Sequence, residues 1–342
     1  MCTDFIVVAE DSSVVVGRSM EFAKDLKSTL AVHARGKEHR SIGPGGKPGK
    51  TWISQHGYVG LTGLGTPLLT DGLNTAGLSI GALWLPGSTY PAVTEPDKAL
   101  ALVEFVGWVL GNCATVEEVK RRLHDGEVQV WEGDWLAQNL PLHFAIHDRH
   151  GHSIVVEYTD RELHIYDNEV GVLTNDPIFP VHLESLRNYV SLTPYDTESV
   201  QLGGLTVHRP GCGTGLIGIP GDSTPPSRFV RTAYLKQFSR PVADAAAASS
   251  LAFHLLNAVD IPLGTSRAPR SESEAHPDKP TDDYTQWVVV KDLTSKIFNV
   301  RLYDSPLAYS VHLDKLDFGA LDGKTIALPV GQLSIDITPS RA

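Results

Sequence analysis

The sequence predicts an α+β fold in which largely antiparallel sheets are flanked by layers of helices. Three observations lead there. Strand signals come in blocks, over the first 90 residues, from 141 to 177 and from 284 to 304. Helical spacing comes in pairs of segments between those blocks. Strict β-α alternation, the mark of a doubly wound parallel sheet, is absent. No stretch has the composition of a linker, so the chain reads as a single domain over residues 1–342.

The elements follow in order. "DFIVVAEDSSVVVGRSM" holds two β-branched runs around an acidic-serine turn, a hairpin pattern. "STLAVHARG" and "GLSIGALWLPG" read as further strands, with the Gly/Pro/Lys loop 41–50 between them. "EPDKALALVEFVGWVLGNCATVEEVKRRL" repeats apolar residues at helical spacing and divides into two helices. Thr115 and Glu118 form a capping box at the division. Strands return at "PLHFAIHDRHGHSIVVEYTDRELHIYD" and "VGVLTNDP". A loop over 210–226 precedes helices at "PSRFVRTAYLKQF", with Pro226 in the first turn, and at "VADAAAASSLAFHLLNAV". Residues 262–283 read as a polar loop, and the chain closes with strands "YTQWVVVKDL" and "SKIFNVRLYD".

Composition narrows the function. The 342 residues are 42% apolar and 20% charged, enough for a sizeable core. A net charge of -11 argues against nucleic acid or an anionic membrane as the main partner. Three cysteines, Cys2, Cys113 and Cys212, do not make a disulfide framework. No apolar run is long enough to span a bilayer, and no signal-peptide pattern is visible ahead of Cys2. The expected compartment is the cytoplasm, or the periplasm if a leader has been removed.

The first hairpin concentrates chemistry. A turn at Glu10-Asp11, or over Glu10–Ser13, sets Cys2 opposite Ser19 to Glu21, with Arg18 adjacent. Paired strands lie about 5 Å apart. The hairpin is therefore expected to gather a thiol, an arginine and a carboxylate in one small volume. A free thiol has a pKa of about 8.5 and a free α-amine about 7.7–8.0, so such an amine is matched to removing a thiol proton. Loss of Met1 would give Cys2 that amine. Nucleophile, base and an orienting carboxylate, Glu21, would then share one hairpin.

The segments "MCTDF", "GRSMEF", "GLNTAGLSIGAL", "LHFAIHDRHGHSIVVEY", "VLTNDP", "IPGDSTPPSRFVR" and "YTQWVVVKDL" extend the argument. In order and spacing the chain resembles the choloylglycine hydrolase family of N-terminal-nucleophile hydrolases, which contains conjugated bile salt hydrolases and penicillin V acylases. The resemblance implies an αββα four-layer sandwich and hydrolysis of linear amides through a thioester on Cys2. It implies that Arg18 holds the thiol, that Asn175 helps form the oxyanion hole and that Arg228 is a second active-site arginine. It also implies a small-molecule amide substrate, a homotetramer, and no metal or organic cofactor.

Two positions depart from the family pattern. Glu21 stands where the family usually has Asp. Trp84 stands where bile salt hydrolases carry an Asn tied to the oxyanion site, so a backbone N–H there would have to serve. Phe22 and Trp84 are expected to flank an aryl or acyl chain. They tilt the substrate toward penicillin V or N-acyl-homoserine lactones, with conjugated bile salts as the alternative. A binding protein on a decayed scaffold is the rival that Glu21 keeps alive. A thiol peptidase would need a Cys–His pair, and no motif selects a histidine for it.

Other motifs read blandly. "GTGLIG" at 213–218 matches a dinucleotide fingerprint, but "IPGDSTPP" after it cannot be the required helix. His143, His147, His150 and His152 read as a surface hairpin rather than a zinc site. Cys113 and Cys212 read as inert thiols.

Overall fold

The computed structural model describes residues 1–133, 140–275, 282–329 and 333–335. The chain opens with the hairpin β1 (Cys2–Val8) and β2 (Val14–Phe22), followed by β3 (Leu30–His33). A small hairpin, β4 (Glu38–Ile42) and β5 (Pro48–Ile53), precedes β6 (Tyr58–Thr62), β7 (Leu69–Asn74) and β8 (Leu78–Trp84). A short β9 (Ala99–Ala101) leads into α1 (Leu102–Asn112) and α2 (Val116–His124), and β10 (Gln129–Trp131) returns parallel to β9. The meander β11 (Leu142–Asp148), β12 (Ser153–Thr159) and β13 (Glu162–Asp167) comes next, then β14 (Val172–Leu173) and α3 (Phe179–Ser185). The hairpin β15 (Val200–Leu202) and β16 (Leu205–Val207) precedes α4 (Pro225–Phe238), α5 (Ala245–Asn257) and the short α6 (Arg270–Ala275). The chain ends through β17 (Tyr284–Asp292), β18 (Ile297–Leu302), β19 (Ala308–His312), α7 (Phe318–Leu321) and β20 (Thr325–Ile326).

Two antiparallel sheets result. One has six strands in the order β14-β1-β2-β17-β18-β19, and the other eight in the order β13-β12-β11-β8-β7-β6-β3-β20. Apolar residues from both sheets share one core, among them Val16 and Val289 of the first sheet and Val59, Leu73 and Ala145 of the second. The far face of the eight-stranded sheet buries Ile80, Phe144 and Val156 against Phe105 and Val109 of α1. On the far face of the six-stranded sheet, α4 packs on β1 and α5 on β2 and β17. The order of layers is helix, sheet, sheet, helix, as expected.

Local sequence explains the helix ends. Thr115 caps α2 by accepting the Glu118 N–H at 3.2 Å, while Glu118 reaches back to the Ala114 N–H at 2.7 Å. Asp244 caps α5 by accepting from Ala247 N at 2.9 Å, a bond type typically worth about 1 kcal/mol. Close packing of α1 depends on Gly72, where a Cβ would lie 2.4 Å from Leu110 Cδ1.

Several elements differ from expectation. The hairpin β15–β16 falls in the stretch 178–209, for which the sequence analysis names no element, and it presents Val200, Leu202, Leu205 and Val207 to solvent. Within the expected loop 262–283 the structure forms α6, and residues 276–281 of that loop lie outside the described residues. The chain does not close at β18, since β19, α7 and β20 follow. Among the described residues, no helix is long and apolar enough to cross a membrane.

Candidate active site

The first hairpin pairs Cys2 with Met20 and Asp4 with Arg18. The turn spans Ala9–Ser13, with Asp11 Oδ1 accepting from Ser13 N at 2.9 Å. Met20 lies between the two expected partners, Ser19 and Glu21, because the five-residue turn matches neither of the two expected turns. Strand side chains alternate between faces, so Cys2, Asp4, Arg18 and Met20 turn toward the second sheet. Thr3, Ser19 and Glu21 turn toward α4. Of the thiol, arginine and carboxylate expected together, Arg18 shares the face of the thiol, whereas Glu21, an odd number of residues further along β2, turns to the opposite face, toward Arg228.

On the inner face Arg18 is fully buried. Its Nη2 lies 3.6 Å from Cys2 Sγ and donates to Ala82 O at 2.5 Å. Its Nη1 donates to Thr70 O at 2.7 Å and to Asp71 Oδ2 at 3.1 Å. The Trp287 ring lies 5.3 Å from the guanidinium carbon. Gly81 makes room for this arrangement, since a Cβ there would sit 2.9 Å from Arg18 Cδ and 3.0 Å from Asp4 Oδ2. Burial alone would weaken the charge, but Cys2, Asp71 and Asp4 outweigh it and hold the guanidinium pKa above its ordinary value. Behind Asp71, Lys291 Nζ donates to both carboxylate oxygens at 2.8 and 2.9 Å.

The main chain of Cys2 is held by other groups. Its N–H donates to Asn175 Oδ1 at 2.5 Å, and Asn175 Nδ2 donates to Trp84 O at 2.8 Å. Arg228 Nη1 donates to Cys2 O at 2.5 Å and to Thr3 Oγ1 at 2.6 Å. Its Nη2 donates to Asn175 Oδ1 at 2.9 Å, and its Nε to Ser223 O at 3.0 Å. Glu21 Oε2 faces this guanidinium at 3.9 Å, and Oε1 accepts from Thr285 Oγ1 at 2.9 Å. A bulge between Thr285 and Trp287 lets the first face Glu21 while the second pairs with Met20. Burial pushes the Glu21 carboxyl up, against the pull of Arg228 and the chain's amino terminus. Met1 extends the ladder: its amino group donates to Glu21 O, and its carbonyl accepts from Glu21 N at 2.8 Å.

Asn175 follows β14 and is fixed from behind by two buried histidines. His143 bonds Glu157 Oε1 at 2.9 Å and Thr174 O at 3.0 Å through its two ring nitrogens. His182 Nε2 donates to Asn175 O at 2.8 Å. Burial lowers the His182 pKa to about 4, so the ring is neutral near pH 7. His147 Nε2 meets Asp4 Oδ1 at 2.7 Å. The surface-hairpin reading of these histidines thus fails for His143 and His147, which point from β11 into the protein. It holds for His150 and His152 at the turn. Among the described residues, no cluster of three or more metal-ligating side chains could hold an ion.

The Cys2 thiol borders a narrow apolar cleft of about 60 Å³, whose walls include Met20, Phe22, Leu26, Leu68 and Trp84. The Phe22 and Trp84 rings lie 6.0 Å apart at 56°. Phe22 and Trp84, expected to flank an aryl or acyl chain, thus line the same cleft as Cys2. The segment 213–218 contains a single 3-10 turn, Thr214–Leu216, and no helix continues directly from it, α4 starting only at Pro225, as its proline-rich context required. Cys113 is buried, which pushes its thiol up to about 12, and Cys212 is exposed in its loop. Sequence reasoning passed over Asp71, Lys291 and Thr285. The one signal for Lys291 was a lysine inside the apolar run "WVVVKDL".

Comparison with known proteins gives a consistent result. The model of the linear amide C–N hydrolases, choloylglycine hydrolase family, matches residues 2–326. A bile salt hydrolase/transferase of Clostridium perfringens is 30% identical over 338 residues, 95% of each chain. The crystal structure of a mutant conjugated bile acid hydrolase from Clostridium perfringens superposes with a TM-score of 0.84 at 28% identity, covering 99% of this chain and 100% of that one. A penicillin V acylase from Agrobacterium tumefaciens gives 0.76 at 28% identity, covering 98% and 94%.

Proposed function

We propose a specific chemistry from one premise: the chain belongs to the choloylglycine hydrolase family of linear amide C–N hydrolases. Removal of Met1 converts the Cys2 nitrogen from an amide into an amine, and Asn175 Oδ1 already receives that nitrogen's hydrogen. The amine takes the thiol proton, and the sulfur attacks the amide carbon. Arg18 stabilises the thiolate. The oxyanion is met by the second hydrogen of Asn175 Nδ2 together with backbone N–H groups. One such donor is typically worth about 2.7–4 kcal/mol in the transition state. The Cys2 ammonium returns its proton to the leaving amine, which departs and leaves a thioester. Water, activated by the same amine, then releases the acid and restores the thiol. Arg228 holds the Cys2 carbonyl and Asn175 in register, and Glu21 supplies its counter-charge. The reading treats the chain as one domain, because both sheets and α4 contribute to the site.

The observation that carries this reading is the separate hold on the two functional atoms of Cys2. Arg18 lies at the sulfur and Asn175 at the nitrogen. For the acyl group, the narrow cleft between Phe22 and Trp84 favours an aryl or straight acyl chain, as in penicillin V or N-acyl-homoserine lactones. Conjugated bile salts are the second reading, favoured by the 30% identity with a bile salt hydrolase/transferase over nearly the whole chain. The test uses protein whose N-terminal mass shows Cys2 first. Parent and Cys2→Ala are assayed on penicillin V, an N-acyl-homoserine lactone and glycocholate. The parent is expected to show its highest kcat/KM on one of the first two, and Cys2→Ala none on any. Turnover by a folded Cys2→Ala protein would end the mechanism, and a glycocholate preference would reverse the substrate order.

A further inference from the structure

Three fully buried charges stand in line behind the thiol. Lys291 Nζ binds both oxygens of Asp71 at 2.8 and 2.9 Å, Asp71 Oδ2 accepts from Arg18 Nη1 at 3.1 Å, and Arg18 Nη2 lies 3.6 Å from Cys2 Sγ. They come from β17, β7 and β2, and every side chain is at 0% exposure. The other charged group facing Arg18 is Asp4 of β1, its cross-strand partner. Asp4 in turn bonds His147 of β11 at 2.7 Å through Oδ1.

Stability alone does not account for Lys291. Burying an ion costs several kcal/mol, and replacing a buried ion pair by well-packed apolar residues is often neutral or stabilising. The surrounding strand is apolar and could carry a methionine at that point. Charge counting gives the lysine a purpose. An arginine matched one-to-one with a carboxylate is a neutral pair and offers a neighbouring thiolate little attraction. A second cation on the same carboxylate takes the trio from neutral to one positive charge, which faces the sulfur and Asp4, the latter already bonded to His147, and the end of the trio nearest the sulfur is Arg18.

We propose that Asp71 and Lys291 are positioning residues for the thiolate: Asp71 aims Arg18 at Cys2, and Lys291 neutralises Asp71 so that the Arg18 charge remains available to the sulfur. The inference rests on the reading of Cys2 as nucleophile. Its test needs no substrate.

The test is the pH dependence of Cys2 alkylation by iodoacetamide in Met1-free protein, followed by mass spectrometry of the N-terminal peptide. A nearby opposite charge shifts a titration by about 1–3 pH units. Lys291→Met is therefore expected to raise the alkylation midpoint by about one unit and to slow alkylation at pH 7 about tenfold. Adding Asp71→Asn removes the carboxylate that Arg18 would otherwise be spent on, so the double variant is expected to return to the parent midpoint. Asp71→Asn alone is expected at or below it. A purely structural role would lower thermal stability without moving the midpoint. An unmoved midpoint in Lys291→Met, or a double variant as shifted as Lys291→Met, would overturn the proposal. If Lys291→Met does not fold, the double variant and Asp71→Asn decide alone, and a raised midpoint in either counts against it. A chain that hydrolyses none of the three amides still gives these profiles, so failure of the hydrolase reading stays separate from failure of this one.

Discussion

The two faces of the six-stranded sheet hold Cys2 in different ways. Toward the second sheet, the sulfur meets Arg18, which is backed by Asp71 and Lys291. Toward α4, Arg228 gives its hydrogen bonds to neutral oxygens of Cys2, Thr3, Asn175 and Ser223. Its carboxylate neighbour, Glu21, stays beyond hydrogen-bond reach at 3.9 Å. The inner face is arranged around charge at one atom, and the outer face around the position of the main chain and Asn175. Interior electrostatics act at several ångströms, whereas hydrogen bonds fail within a few tenths. The same residue type, a buried arginine, is thus used for field on one side and for geometry on the other.

The largest expected effect breaks the outer face. Arg228→Met takes one donor from each of four oxygens, of which Asn175 Oδ1 keeps the Cys2 N–H, and leaves the buried Glu21 carboxylate without its cation. Breaking a buried charge pair from one side costs about 3–5 kcal/mol, so urea unfolding at neutral pH is expected to show a loss of that size. A loss within about 1 kcal/mol, the range of a single hydrogen bond, would mean that the main chain holds its position without Arg228.

The second effect tests what lies behind Asn175. The His182 pKa falls from 6.5 to about 4 on folding. As pH drops, the unfolded chain takes up the proton first, so this stabilisation is complete above pH 6.5 and is lost as pH falls toward 4. At about 1.4 kcal/mol per pKa unit the loss is on the order of 3 kcal/mol. His182→Gln is expected to flatten that part of the stability–pH curve. An unchanged slope between pH 6.5 and 4 would assign the acid sensitivity to other groups.

The contrast between the faces also explains what could be read from the chain alone. Local signals were enough for the β1–β2 hairpin, the α1–α2 capping box and the β11–β13 meander, because each depends on neighbours in sequence. Cys2, Arg18 and Glu21 were legible as a group because one hairpin joins them. Their division between faces depends on one residue of register, which the turn left open. Asn175 and Arg228 were reached through resemblance, since nothing in their own surroundings brings them to position 2. Lys291 and Asp71 are 220 positions apart and meet only when the sheets stack. His143 and His147 looked like turn residues because "DRHGH" is a turn, yet they precede it, on the buried strand β11.

The smallest expected effect is the most informative about whether the two faces act independently. Glu21→Asp shortens the side chain by one methylene, which draws the carboxylate away from Thr285 Oγ1, now at 2.9 Å, and from Arg228, now at 3.9 Å. Loss of one hydrogen bond is worth about 1 kcal/mol, or roughly a fivefold change in kcat/KM if it reaches the reaction. The Cys2 alkylation midpoint should stay where it is, because Glu21 and the thiol lie on opposite faces with the strand between them. A midpoint that moves in Glu21→Asp as far as in Lys291→Met would mean that charge on the outer face reaches the sulfur through Arg228. The sheet would then act as one electrostatic unit around Cys2, and the choice of glutamate at position 21 would be part of how the thiol is set.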